Sequence, residues 1–307
     1  MSANQQAPFD RELWRRRRAR MVTTLPQHEF LLLEVADRLA DRLADVNRAF
    51  PRALDLGAHH GLLQRVANGR GGLDFVVQCE GSRPLLSLSE GHRVVADEEF
   101  LPFAPQTFDL VFSALTLQAT NDLPGVLLQT RHSLKPDGLF LAAVLGGETL
   151  RELRETFLQA EIDIEGGASP RVAPMIDLGD LGGLLQRAGF SLPAADRDLL
   201  TLTYPSPFAL LHELRGLGLS NVLNNRRRQP LRRQTLMRAC ELYLERYGDR
   251  DGRIKATFEI FTLTGWAPHE SQPQALKPGS ARHSLAQALD SEEVSAGEAA
   301  RPARKPV

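Results

Sequence analysis

The sequence has little of what disulfide-bonded, membrane-spanning or metal-binding proteins use. Only two of its 307 residues are cysteine, Cys79 and Cys240, and each lies inside an apolar segment. Buried free thiols are therefore expected, rather than a disulfide or a cysteine-based metal site. No apolar run approaches the length of about 18 residues that a membrane-spanning helix needs, and the N-terminus has no apolar signal core.

The sequence also lacks an excess of charge of either sign. The formal net charge is −1, so no overall basic field attracts nucleic acid, and a nucleic-acid partner is not expected. The low cysteine content makes a reducing cytosol the expected compartment, and the usage of Arg, Ala and Leu suggests a bacterial source. A mitochondrial, matrix-side location is expected only if the chain is eukaryotic. Nothing in the sequence indicates an oligomeric state.

A strand, a glycine turn and a helix are predicted in residues 53–66. Residues 53–61 read ALDLGAHHG, with Asp55 and Gly57 at the end of the strand, and Leu62, Leu63 and Val66 begin a helical face. Glycine allows the backbone to approach a ligand because it has no Cβ and adopts positive φ readily. In open α/β sheets this first crevice often binds nucleotide-like ligands.

Four more strands follow at regular spacing, at residues 74–79, 92–96, 108–113 and 139–145, and helices are predicted between them. Alternating strands and helices predict a mostly parallel sheet that is covered on both faces. Glu80 ends the second strand, about 20 residues after the glycine turn, where an acid accepts hydrogen bonds from ribose hydroxyls. The third strand runs into residues 96–103, ADEEFLPF, which contain Asp97 and Glu98.

This pattern resembles the class I S-adenosylmethionine-dependent methyltransferases. The carrying residues are 55–61, Glu80, Asp97, the strand FDLV at 108–111 and the turn LKPDG at 134–138. The resemblance implies an α/β Rossmann-like sheet of seven strands, mostly parallel with an antiparallel last strand, and S-adenosylmethionine as the cofactor. The site residues that it implies or that lie at the strand ends are Asp55, Gly57, Ala58, His59, Gly61, Glu80, Asp97, Glu98 and Ser113. Of these, residues 57–61 would face the methionine part, Glu80 the ribose and Asp97 the adenine amino group; no catalytic residue is implied.

Further motifs resemble one subfamily. They are FDR at 9–11, NDLP at 121–124, GGETLRELR at 146–154, GGASP at 166–170 and GWAPHESQ at 265–272. This subfamily contains the complex I assembly factor that hydroxylates an arginine, and it is close to the malonyl-carrier-protein methyltransferases. The resemblance covers roughly residues 8–285. It implies a modifying enzyme or assembly factor for respiratory complex I, with a peripheral-arm subunit as partner. The alternatives are a small-molecule or carrier-protein O-methyltransferase and a non-catalytic binding module.

Two departures from the family pattern affect the expected pocket. His59 stands where the middle glycine of the turn is usual, and Ala58 stands where a cysteine is usual. A histidine in left-handed backbone is strained, and its side chain is expected to crowd the ligand. After the fourth strand, Gln118-Ala119 replaces the His-Trp of the relatives. The adjacent histidines His59 and His60 lack a third converging ligand, so no metal site is predicted.

Three parts are expected along the chain: an N-terminal helical extension over 1–50, a methyltransferase-fold domain over 51–268 and a C-terminal tail over 269–307. A helical insertion at about 205–250 is expected to form a lid, and the tail is expected to be disordered from about residue 285. Two basic runs stand out, residues 15–18 and 226–228. The first is interpreted as a solvated helix face or as a docking patch for an acidic partner or the membrane surface, and the second as solvated charge or as a contact for an acidic substrate or a protein partner.

Overall fold

The computed structural model describes residues 7–273, 284, 286 and 289–291. Residues Met1–His269 belong to one compact unit and a second unit begins at Glu270. The tail expected to be disordered from about residue 285 lies almost entirely outside the described residues. The predicted domain boundaries remain predictions.

A sheet of seven strands organises the described part of the chain, in the order β3-β2-β1-β4-β5-β7-β6. The strands are β1 (Arg52–Leu56), β2 (Phe75–Cys79), β3 (His92–Val94), β4 (Phe108–Ala114), β5 (Leu134–Leu145), β6 (Ser191–Tyr204) and β7 (Ile254–Trp266). The pairs among β1 to β5 are parallel, whereas β7 is antiparallel to both β5 and β6. The predicted Rossmann-like sheet with an antiparallel last strand is confirmed.

Ten α-helices accompany these strands within the described residues. They are α1 (Arg11–Arg20), α2 (Leu25–His28), α3 (Phe30–Ala44), α4 (Leu62–Val66), α5 (Arg83–Leu86), α6 (Leu123–Ser133), α7 (Arg151–Glu165), α8 (Leu178–Arg187), α9 (Pro207–Gly216) and α10 (Arg233–Tyr247). Two short 3-10 turns, Met21–Thr23 and Leu117–Ala119, complete the regular structure. None of these helices has the length and apolarity needed to cross a membrane.

The apolar side chains fill one cluster on each face of the sheet. Ala53, Leu110 and Phe112 belong to one cluster, while Leu54 and Val111 belong to the other, because successive strand residues point to opposite faces. Helix α3 covers the first face with residues at helical spacing: Leu31, Leu32, Val35, Ala36, Leu39, Ala40 and Leu43. Burial on both faces explains why the inner strands read as continuous apolar runs.

The strand order reverses between β1 and β4, and this places a crevice at their carboxyl ends. In open α/β sheets, ligands bind at such a switch point. The loops that follow β1, β2, β3 and β4 all meet there, since parallel strands end at the same edge. The insertion between β6 and β7 is helical at both ends and irregular over residues 217–232, which include Gly218 and Pro230.

Gly57 is a point at which this architecture tolerates little change. Its φ is +74°, and an added Cβ would lie 2.4 Å from Cγ2 of the buried Thr116. Gly57→Ala should therefore lower the free energy of unfolding by about 2–4 kcal/mol, through left-handed strain and overpacking. Urea unfolding measures this. Gly147→Ala is the matched control, because no described atom lies within 4 Å of its added Cβ. Equal stability of the two variants would contradict the analysis.

Candidate functional site

The glycine turn after β1 is tight and buried. Gly57 and Gly61 adopt φ of +74° and +77°, and His59 between them adopts +52°. The backbone N–H groups of Gly57 and Ala58 donate to the Cys79 carbonyl at 2.8 and 3.0 Å, which ties the turn to the end of β2. The left-handed backbone expected for His59 is present, in a conformation that favours glycine.

Glu80, the residue after β2, is fully buried and paired with an arginine from α1. Its Oε1 accepts from Arg18 Nε at 2.9 Å and from the Ser82 N–H at 2.9 Å. Its Oε2 accepts from Arg18 Nη2 and, at 3.1 Å, from the His59 N–H. A carboxylate offers about four acceptor positions, so the hydrogen-bonding capacity of Glu80 is used within the protein.

The two acids after β3 meet the same helix. Asp97 accepts from Arg11 and from Arg15, each at 2.7 Å, and Glu98 accepts from Arg11. Burial is the largest single influence on Asp97 and opposes its ionisation, but the charge and hydrogen bond of Arg11, the Glu99 N–H and the charge of Arg15 together outweigh it, so the pKa of Asp97 lies below its ordinary value. Glu98 is completely buried, and burial raises its pKa above the usual range.

Helix α1 therefore corrects the interpretation of the first basic run. Residues 15–18 are neither a solvated face nor a free docking patch: Arg15 and Arg18 hold Asp97 and Glu80, and Arg17 donates to the Asn221 carbonyl. Only Arg16 lies on the exposed side, paired with Glu12. A basic run alone cannot reveal this arrangement, because the acids that it meets lie 60 to 90 residues further along the chain.

Trp14 sits inside this charged layer. Its side chain is buried, and the guanidinium groups of Arg11 and Arg18 lie 4.1 and 4.5 Å from its ring centroid. Ala119 and Val222 pack against it from the opposite side. Trp14 was not among the predicted site residues. The sequence signal that marks it is an aromatic residue at the start of an arginine run.

A cavity of about 450 Å³ opens beside the turn. His59 lines it, and so do Trp14, Arg18 and Gln118. Its remaining walls are mainly apolar and come from α2, α3, α7, α9, α10 and the loops after β4, α7 and α9, including Leu25, Leu31, Leu115, Leu153, Phe157, Met175, Leu214, Leu217 and Leu236. The loop after α9 contributes Ser220, Asn221 and Val222, so the insertion expected to form a lid does supply part of the wall.

His59 is the one predicted site residue in the cavity wall. Its Nε2 lies 2.9 Å from the Ala114 carbonyl and 3.2 Å from Thr116 Oγ1. Burial, and then the charge of Arg18, lower the pKa of His59 well below its ordinary value, so the ring is neutral. Its Nδ1 is buried without a hydrogen-bond partner in the described structure.

The other predicted residues lie behind the cavity, in the layer between the sheet and α1. Ser113 Oγ donates to the Leu56 carbonyl at 2.6 Å, and Ala58 is buried in the turn. An added Cβ at Gly61 would lie 2.4 Å from Gln78 Oε1. These contacts hold the carboxyl ends of β1, β2 and β4 together.

The adjacent histidines point to different surroundings. His60 Nε2 lies 2.8 Å from Glu29 Oε2, whereas His59 faces the cavity. Across the described ranges of the chain, no group of three or more His, Cys, Asp or Glu side chains has an arrangement that could hold a metal ion.

Asp55 is buried at the end of β1, and its carboxyl oxygens form no hydrogen bond of normal geometry with any described residue. Burial, and then the charge of Glu80, raise its pKa from 3.8 to about 8. The backbone N–H of Gln64 lowers the pKa of Asp55, but this effect is smaller than the two that raise it. At neutral pH, the folded protein therefore keeps a proton on Asp55 that the unfolded chain releases.

Asp55→Asn tests this buried proton. The wild-type protein should lose stability between about pH 5 and pH 8, by at most about 1.4 kcal/mol per pH unit, because only its unfolded state has released the proton. The variant cannot ionise, so its stability relative to wild type should rise over this interval and level off above pH 8. Urea unfolding at several pH values measures the difference, with the exposed Asp41→Asn as control. A difference independent of pH would contradict the assignment.

Comparison with known proteins agrees with this architecture. Residues 25–194 match the model of a family described as methyltransferase domain. The YcgJ protein from Bacillus subtilis has a similar structure, with a TM-score of 0.54 at 13% identity over 76% of this chain and 98% of that one. At this identity the similarity concerns the fold alone.

Several relatives are more similar in sequence. The mitochondrial arginine-hydroxylase NDUFAF5 of Danio rerio is 41% identical over 91% of this chain and 88% of its own length. The human protein of the same name is 42% identical over 89% of this chain and 81% of its own. A malonyl-[acyl-carrier protein] O-methyltransferase from Xylella fastidiosa is 31% identical over 85% of this chain and 89% of its own length. With its sheet order, its glycine turn and these relatives, the chain belongs to the methyltransferase domain family.

Proposed function

We propose that this protein binds S-adenosylmethionine and modifies an arginine on a subunit of respiratory complex I. The observation that carries the proposal is the set of carboxylates at the carboxyl ends of β2 and β3, next to the glycine turn. Glu80, Asp97 and Glu98 lie together there, on the side of the sheet where the strand order reverses. The similarity to arginine-hydroxylases over about nine-tenths of the chain supports arginine as the target.

The chemistry of these residues fits the cofactor. Glu80 is suited to accept hydrogen bonds from ribose hydroxyls and Asp97 from an adenine amino group, since both are acceptors at strand ends. When bound, S-adenosylmethionine supplies a methyl group already activated on a sulfonium. Orientation of the acceptor then provides most of the rate. Arginine hydroxylation requires oxygen chemistry that side chains do not provide, so that reaction needs a further cofactor.

Arginine side chains of α1 compete for the same acceptors. Glu80 has no acceptor position to spare while Arg18 holds both of its oxygens. Binding of a ribose at Glu80 therefore requires Arg18 to give up at least one hydrogen bond, and binding of an amino group at Asp97 requires the same of Arg11 or Arg15. We infer that the cofactor exchanges partners with α1 rather than entering preformed, free sites.

Two changes on opposite sides of one ion pair test cofactor binding. Asp97→Asn and Arg15→Met both break the Arg15–Asp97 pair, but only the first removes an acceptor for the ligand. Asp97→Asn should weaken binding of S-adenosylmethionine by about 1–3 kcal/mol, whereas Arg15→Met should leave it unchanged or tighten it. Calorimetric titration measures both.

Two calorimetric results would count against cofactor binding at Asp97. Equal weakening in the two variants would mean that Asp97 acts only through α1. No heat from wild type at millimolar cofactor would favour the binding-module alternative.

Methylation of a carrier-bound acyl group by the purified protein would favour the carrier-protein alternative, which the relative at 31% identity supports distantly.

The proposed protein target needs a docking surface, and the structure alters which arginines are available for it. In the second basic run, Arg226 pairs with Asp10 and Arg227 with Glu165. Only Arg228 of this run is exposed, and its charge acts on Asp10 as well, whose pKa it helps to lower. Arg20 at the end of α1 and Arg215 on α9 are both exposed. Both lie close enough to Arg17 for their charges to lower its pKa, after burial as the main cause.

Replacing Arg20, Arg215 and Arg228 by serine should slow or abolish salt-sensitive association with a complex I peripheral-arm subunit, because complementary charge between two docking surfaces mainly sets the on-rate and the specificity. The measurement is a pull-down from native extract at low and high salt, with cofactor binding checked separately. Replacing the exposed Arg83, Arg187 and Arg250 by serine removes the same charge elsewhere and should have little effect. An equal loss in both triple variants would contradict a specific docking surface.

A protein that acts on the peripheral arm is located where that arm lies, which is the bacterial cytoplasm or the mitochondrial matrix.

A further inference from the structure

Two buried hydrogen-bond acceptors in the cavity have no partner in the described structure. They are Nδ1 of His59 and Oε1 of Gln118, and both residues line the cavity. A buried polar atom without a partner costs free energy, so a pair of them in one cavity is a sign of a ligand that satisfies both.

The local hydrogen bonds show that both atoms accept rather than donate. Gln118 Nε2 donates to the Leu115 carbonyl at 2.8 Å, and a carbonyl accepts only, so the amide nitrogen is on that side and Oε1 is left over. His59 Nε2 faces the Ala114 carbonyl at 2.9 Å. In a neutral ring the proton is then on Nε2, and Nδ1 carries a lone pair.

The cations in the same wall are already neutralised. Arg18 is held by Glu80, and Arg171 Nε donates to Glu161 Oε1 at 2.7 Å. Arg171 Nη2 lies 2.5 Å from the same carboxylate oxygen but forms no hydrogen bond of normal geometry, so the charge of this arginine is paired while one of its donors is unsatisfied. The remaining wall arginine, Arg215, is exposed. The buried part of the cavity thus has acceptors to spare and no spare cation, which suits a ligand rich in N–H donors and does not suit a carboxylate.

We propose that His59 Nδ1 and Gln118 Oε1 form the recognition site for the guanidinium group of a substrate arginine. This inference rests on the proposed function and specifies which residues read its substrate. A guanidinium presents five N–H donors in a fixed plane and can reach two separate acceptors. The apolar walls suit the methylene stem, which arginine side chains bury while the charged group finds polar partners.

Binding of small probes tests this assignment without catalysis. Nα-acetyl-L-arginine amide is titrated into the full-length protein and followed by NMR, including the ¹⁵N signals of the His59 ring, with and without saturating S-adenosylmethionine. Nα-acetyl-L-citrulline amide, which has nearly the same shape but no charge, and malonate are titrated in the same way. The arginine probe should bind more tightly than the other two and should shift the Nδ1 signal.

Gln118→Leu and His59→Gly should each weaken the arginine probe about tenfold or more, as expected for a hydrogen bond to a charged group. Glycine suits the positive φ at position 59, so the second variant keeps the turn. Gln159→Leu is the matched control, because Gln159 is a half-buried residue of α7 that does not line the cavity and donates to Asp163 Oδ1; the affinity of this variant should equal that of wild type.

Each result separates this inference from the proposed function. Unchanged arginine affinity in both cavity variants, or tighter binding of malonate, would overturn the inference even if the cofactor binds. Competition between the arginine probe and S-adenosylmethionine would assign the two acceptors to the cofactor's ammonium group and would overturn it as well. Failure of wild type to bind S-adenosylmethionine, with arginine binding and its loss in the variants intact, would instead count against the proposed function alone.

Discussion

The buried ion pair between Arg18 and Glu80 is the interaction on which the rest of the site depends. It is bidentate, and both side chains are almost completely removed from water. Removing one partner of such a pair leaves an uncompensated buried charge, at a cost of about 3–5 kcal/mol. Glu80 also receives the His59 N–H, so one carboxylate fixes α1, the glycine turn and the end of β2 together.

Helix α1 joins the crevice to the irregular loop of the insertion. Phe9 and Asn121 exchange two hydrogen bonds, and the Asp10 N–H donates to the Val222 carbonyl. The crevice that holds these acids and the loop that forms part of the cavity wall are thus joined by a single ten-residue helix.

The fold was predictable because it follows from local patterns. Each inner strand is a short apolar run, each connection carries a turn signal, and the glycine turn at 57–61 marks the first crevice. The acids at positions 80, 97 and 98 could be found for the same reason, since they directly follow strands. Their partners could not: Arg11, Arg15 and Arg18 meet them only through tertiary packing. Likewise, the sequence shows that His59 and Gln118 are present. It does not show which of their atoms is left without a partner, because that depends on where the carbonyls of Ala114 and Leu115 lie.

The position of Trp14 has an optical consequence. The chain contains two tryptophans. The guanidinium groups of Arg11 and Arg18 lie within 4.5 Å of the Trp14 ring centroid, whereas Trp266 lies at the end of β7, near Phe50 and Arg48. Indole emission responds to nearby charge and to water, so any departure of α1 from the acids exposes one indole and leaves the other unaffected. With Trp266 replaced by phenylalanine, the intrinsic fluorescence of the protein becomes a label-free record of helix movement, on the timescale of mixing.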